Sequence, residues 1–318
     1  VDELQIGVAE TYDVIVTPPG DGAWTIVGES VDRSGMARAT IATRPGMSAT
    51  VPALRPRPLA TMADMGMGDM GATGPSSRGI DPTVEKNASA RLASPPAAAA
   101  RAGMDHAGMD HGAMTHGAMD HPGAGDMAGM DHGSMSMRDF ANAPGVRKGP
   151  GVQTISPMPV DRTDYPGQGL EDAGHRVLTY RDLEALARNP DVRAPERELD
   201  VHLTGNMERF MWSFDGVKMG ETHEPIPFIE GERVRVNLIN DTMMAHPIHL
   251  HGHFFDLVTG KGAHAPRKHT VIVQPGGRVS FDLTADAVGD WVFHCHLLFH
   301  MISGMMRVVT VRPRGEAA

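Results

Sequence analysis

Between Trp24 and Phe140 lie 115 consecutive positions without a Phe, Trp or Tyr. A segment that long with so little to bury cannot offset the entropy of ordering it. The 318 residues therefore do not divide into two full-sized compact domains. The expectation is a short ordered N-terminal piece, a long disordered middle and one C-terminal domain. From residue 198 onward the chain holds ten of its fifteen aromatics, enough to build a core.

Residues 1–50 read as the end of a domain whose beginning is missing. Val1 follows no visible initiator Met or signal peptide. Residues 11–17 carry a strand pattern that stops at Pro18-Pro19, and 23–27 a returning strand after the turn at 20–22. Residues 51–150 are the low-complexity linker, rich in Pro, Gly, Ala and Met. Residues 151–197 connect onward through one short helix. Its start is the capping box Thr179-Tyr180-Arg181-Asp182 and its stop is Asn189-Pro190.

The linker holds a repeat of period five: Met104-Asp105-His106, Met109-Asp110-His111, Met114-Thr115-His116 and Met119-Asp120-His121, with Met130-Asp131-His132 following out of register. Five matches neither the helix nor the strand period, so no single face is being built. Each unit offers a thioether and an imidazole, and most a carboxylate, on a tether. That set suits copper, the thioether preferring Cu(I). Twelve of the 23 Met fall in residues 62–137, which favours metal capture over a drifted linker composition.

From residue 198 short strand-like runs separated by Gly and Pro turns predict an all-β sandwich or barrel, with alternating strands at 198–204 and 233–239 and further strands at 270–274, 278–283 and 306–311. Two tight clusters carry the chemistry: His246-Pro247-Ile248-His249-Leu250-His251, and His294-Cys295-His296 followed by His300 and Met305. On an extended strand His294 and His296 share one face and Cys295 takes the other, and His249 and His251 likewise share a face. One face then presents four imidazoles and the opposite face one thiolate. A thiolate with two imidazoles and a weak axial thioether makes a blue-copper site. His246, His300 and Met305 are the candidates for those positions. An electron leaving a metal at Cys295 has a short covalent path to His294 and His296, which makes sense if a second metal centre stands on the other face.

These two motifs resemble the third and fourth copper-binding segments of the multicopper oxidases. The Met-rich insert, Gly205-Asn-Met-Glu-Arg-Phe-Met-Trp-Ser-Phe-Asp215 and Asn240-Asp-Thr-Met-Met-Ala-His246 resemble the CopA-type copper-resistance branch. The resemblance implies a cupredoxin-like Greek-key β-sandwich at 198–318, preceded by the end of another cupredoxin domain. It implies type 1 copper on His246, Cys295, His300 and Met305, type 2 copper on His249, and the binuclear type 3 copper on His251, His294 and His296. The implied activity is oxidation of Cu(I) or phenols with reduction of dioxygen to water, in copper resistance, in a bacterial periplasm reached by a signal not present in this sequence. Two departures stand out. The acidic residue that often follows the second type 1 histidine is Met301 here, and the family's first two H-x-H segments are absent. The implied partners are therefore copper ions, dioxygen and missing N-terminal cupredoxin domains, and the 318 residues alone are expected to be inactive in oxygen reduction.

The net charge of −10 argues against a nucleic-acid partner, and no run of 18 apolar residues predicts a membrane span. One Cys excludes an internal disulfide. His202, His223, His253, His264 and His269 read as structural. Met243 and Met244 read as core packing, with docking of Cu(I) as the alternative. Two other functions fit the motifs less fully: a periplasmic copper-sequestering protein built on the repeats, and an electron-transfer protein working from the type 1 site alone.

Overall fold

The alternation at 278–283 becomes a strand in which every second residue is buried, from Val279 through Phe281 to Leu283. The structure, a computed structural model, describes residues 1–59, 137–221 and 224–315. The N-terminal part contributes β1 (Glu3–Leu4) and an antiparallel hairpin of β2 (Ala23–Glu29) and β3 (Met36–Ala42). Two short strands follow, β4 (Val160–Asp161) and β5 (Val177–Leu178), the latter pairing with β1. The C-terminal region supplies β6 (Arg197–Asn206), β7 (Met211–Phe214), β8 (Ile226–Ile229), β9 (Arg233–Asn240), β10 (His246–Leu250) and β11 (Phe255–Leu257). It continues with β12 (Arg267–Lys268), β13 (Thr270–Val273), β14 (Gly277–Thr284), β15 (Gly289–Cys295), the one-turn helix α1 (Leu298–Ile302) and β16 (Met306–Arg312).

These strands form two sheets. One runs β13-β10-β15-β16-β8; the other runs β12-β11-β14-β9-β6-β7, with β4 added alongside β14. The chain crosses from one sheet to the other between β9 and β10 and returns at β11, giving the cupredoxin-like sandwich. Val201, Leu203, Phe214, Val236, Leu238 and Phe281 from one sheet meet Ile248, Val271, Phe293, Val309 and Val311 from the other in one buried core. Phe214 and Phe293 stack across it at 5.2 Å. Burial of large side chains at about 25 cal/mol per Å² is what holds such a sandwich together.

Three expectations change. Residues 11–17 form no strand: Val14, Ile15 and Val16 are exposed, and no neighbour among the described residues takes their backbone hydrogen bonds. The segment just before them is instead fixed by side chains. Glu10, its side chain fully buried, accepts from the hydroxyls of Tyr180 (2.7 Å) and Tyr12 (3.3 Å) and pairs with Lys268 on β12 (3.1 Å). The helix expected from Thr179 is a single 3-10 turn, Tyr180–Asp182. The Asp182 carboxylate accepts from the Thr179 backbone and hydroxyl, but Leu183 already has extended backbone, and Leu186 is fully exposed, so no apolar stripe exists to carry a helix on. Packed chain begins before residue 150: Ala143, Val146, Val152 and Ile155 form a small buried cluster against Phe140. The repeats from Met104 to His132 lie outside the described residues.

Candidate metal centre

Pairing of β10 with β15 builds the site. The register sets Ile248 opposite Cys295 and His249 opposite His294. Because strand side chains alternate, His246, Ile248 and Cys295 turn to one side, while His249, His251, His294 and His296 turn to the other. The two faces hold two separate clusters.

On the first face the Cys295 sulfur lies 3.6 Å from His246 Nδ1 and 3.8 Å from His300 Nδ1, and the two nitrogens are 3.1 Å apart. Metal bonds of about 2.0 Å to nitrogen and about 2.3 Å to sulfur, arranged in a plane, require donor separations of about 3.5 and 3.7 Å. The triangle thus has the size of a three-coordinate metal site. All three residues are buried. Burial pushes the Cys295 thiol up to about 12, so an isolated thiol stays protonated and the thiolate forms only with a cation beside it. Burial also lowers His246 far below the usual imidazole value and His300 to about 4, leaving both neutral and able to donate a lone pair at neutral pH.

The tautomer of His246 is set by a residue not singled out from the sequence. Thr242 Oγ1 stands 2.7 Å from Nε2, so that N–H points at the hydroxyl and Nδ1 keeps its lone pair toward the sulfur. Thr242 is itself held: its hydroxyl and its backbone N–H both donate to Asn240 Oδ1, each at 2.9 Å. His300 comes from α1, where the Trp212 ring stacks on it at 4.2 Å and 15°. The loop after α1 then returns Met305, wholly buried, whose N–H donates to the His300 carbonyl while its own carbonyl accepts from Cys295. Gly304 permits that return. It sits at φ 125, and a Cβ there would meet Lys218 at 2.7 Å and the Trp212 carbonyl at 2.8 Å.

On the second face His249, His251 and His294 bring nitrogens within 4.8 Å of one another, with Nε2 of His251 and of His294 3.1 Å apart. His296 adds its ring 5.1 Å from His294 and 5.7 Å from His249. His249 Nδ1–H donates to the His269 carbonyl (2.7 Å), and His294 Nδ1–H to the Cys295 carbonyl (3.0 Å), which leaves both Nε2 atoms free for a metal. The second bond also joins the two clusters. Burial, with the neighbouring imidazoles adding to it, holds His249 at about 4 and lowers His294.

The remaining histidines divide. His253 accepts a structural place, its Nδ1 on the His251 carbonyl and its ring edge-on to Trp291. His202 pairs with buried Asp241 at 2.8 Å, and His264 donates to the Ala185 carbonyl. His223 lies outside the described residues. His269 is more than structural filler: its carbonyl orients His249 and its ring lies 5.3 Å away. Met244 packs against the core as expected, but Met243 stands at the surface. Asn240, Thr242 and Trp212 were visible in the sequence only as parts of quoted motifs. An Asn and a Thr six and four residues before a candidate ligand histidine are the signal that could have marked the first two.

Residues 193–315 match the multicopper oxidase family. Copper resistance protein A of Escherichia coli is 46% identical over 98% of this chain and 49% of its own length. Copper resistance protein A of Pseudomonas syringae pv. tomato is 48% identical over 98% of the chain and 50% of its own. Multicopper oxidase MmcO of Mycobacterium tuberculosis is 40% identical over 35% of the chain and 22% of its own length. The chain spans about half the length of the copper resistance proteins it matches.

Proposed function

Residues 193–315 are a multicopper oxidase domain, in a chain of the copper-resistance protein A type, and from that premise we propose that the chain takes electrons from Cu(I) or a phenolic donor and passes them on for the reduction of dioxygen. The observation that carries the reading is the pair of clusters on opposite faces of one strand pair, joined at Cys295 and His294. His246, Cys295 and His300, with Met305 as the weak fourth ligand, hold the type 1 copper. His249 holds the type 2 copper, and His251, His294 and His296 the type 3 pair. Copper bound at these positions supplies one-electron exchange at the thiolate and multi-electron reduction of oxygen at the cluster.

The chain's own residues do the rest. Thr242 and the His269 and Cys295 carbonyls hold the imidazole tautomers. The core around Cys295 excludes water, and the His294–Cys295 hydrogen bond shortens the route between the centres. A simple electron carrier has no use for four imidazoles on the far face, which disfavours that alternative. Complete oxygen reduction requires further imidazoles from other domains of a longer periplasmic protein, and the Met-Asp-His repeats act as a copper-capturing tether.

The test is copper loading followed by spectroscopy and oxygen uptake. The 318-residue chain should bind one blue copper, and Cys295→Ser should abolish the blue band. With Cu(I) or a phenol as reductant, oxygen uptake by the chain alone should be negligible. A Cys295→Ser variant that stays blue, or sustained four-electron uptake by the chain alone, refutes the assignment.

A further inference from the structure

Of the four residues read as the type 1 site, His300 is the least deeply buried, yet it is not the group a reductant meets first. His300 is 4% exposed and Trp212, stacked on it, 3%. Phe210 meets Trp212 edge-on at 4.7 Å and Phe299 at 6.4 Å, and both phenyl rings are open to solvent, 56% and 70% exposed. A continuous file of rings thus leads from the buried site to water.

Phe210 is held there against its own preference. It has φ 54, the left-handed region that a bulky side chain avoids and glycine enters freely. The turn is braced so that it cannot relax. Phe210 N–H donates to the Met207 carbonyl, Arg209 N–H to Asn206 Oδ1, Met207 N–H to Gln153 Oε1, and Asn206 Nδ2 to the Pro150 carbonyl. A strained, over-determined and exposed aromatic ring has no role in the core, and strain retained in this way marks function more often than packing.

We propose that Phe210 is the donor-contacting residue of the Cys295 site: a planar aromatic reductant stacks on its ring, and the electron reaches His300 through Trp212. This rests on the reading of Cys295, His246 and His300 as a type 1 copper site. The step is a single electron transfer. A hydroquinone gives one electron to Cu(II) held at that site, leaving Cu(I), and releases one proton to water as it becomes its oxidised radical. Aromatic faces pair with modest but specific gain, so Phe210 discriminates planar donors from compact polar ones such as ascorbate.

Two measurements read this, one without metal. Broadening of the hydroquinone proton resonances by the apo chain should be lost in Phe210→Gly and kept in Phe210→Tyr. In the copper-loaded chain without oxygen, bleaching of the blue band by hydroquinone should slow about five- to tenfold in Phe210→Gly. Bleaching by ascorbate should stay within about twofold. The urea midpoint of apo Phe210→Gly should not fall, since glycine relieves the backbone. Equal slowing with both reductants, an unchanged hydroquinone rate, or unchanged broadening by apo Phe210→Gly overturns the proposal. A wild-type chain that never turns blue counts against the copper assignment, while the apo measurement still decides the role of Phe210.

Discussion

Replacing Thr242 by Val removes one oxygen and leaves the side chain's shape nearly unchanged, yet it should disable the Cys295 site. The hydroxyl accepts from His246 Nε2–H at 2.7 Å in a place where His246 and Asn240 are fully buried and Thr242 nearly so. Without it, the imidazole has two options. It can keep its proton on Nε2 and bury an unpaired donor, at a cost of about 1–3 kcal/mol. Or it can move the proton to Nδ1, the atom 3.6 Å from the Cys295 sulfur and 3.1 Å from His300 Nδ1, where a metal needs a lone pair. The first option lowers the stability of the apo chain, and the second lowers copper affinity by about 10- to 100-fold, as loss of an orienting partner typically does. Asn240 Oδ1 keeps the Thr242 backbone N–H at 2.9 Å, so the loop itself should hold its path. Urea unfolding of the apo chain and copper titration against a competing chelator separate the two costs. Thr242→Ser, which restores the hydroxyl, should restore both values. If Thr242→Val matches the wild type in unfolding midpoint and in copper affinity, the hydroxyl does not set the tautomer and the argument fails.

Two further outcomes follow from the structure and the sequence. His300 is lowered by burial from its ordinary value to about 4, and burial lowers His246 in the same direction. The unfolded chain then binds more protons than the folded one between pH 6.5 and 4, so apo stability is whole above about pH 6.5 and is lost as the pH falls. His300 alone removes about 2 kcal/mol by pH 5; a urea midpoint that is flat from pH 7 to 5 would falsify the buried, neutral state of these ligands. Deleting residues 104–132 should leave the unfolding transition of the rest unchanged, since they contain no Leu, Ile, Val or aromatic residue with which to build a core, and should lower the copper bound per chain in metal analysis; unchanged copper content refutes the capture role.

The sequence determined what depends on local pattern. Period-two alternation placed β6, β9 and β14, and short β-branched runs bounded by turn residues placed β13 and β16, each within a residue or two. The same rule separated Cys295 from His294 and His296, and so foresaw two clusters on opposite faces. Pattern failed where a partner was needed. Residues 11–17 alternate as well as many strands do, but a strand exists only by pairing, and among the described residues nothing pairs with them. The tertiary structure alone decided the fine state of the site. That the His269 carbonyl turns His249 and that Trp212 covers His300 depend on groups brought together from distant strands and loops, and even Thr242, only four residues from His246, meets its Nε2 through the path of the buried turn between them. Spacing along the chain fixes which face a ligand takes. Only packing fixes which atom of the ligand is free, because that is set by whatever hydrogen-bond partner the fold brings to its other side.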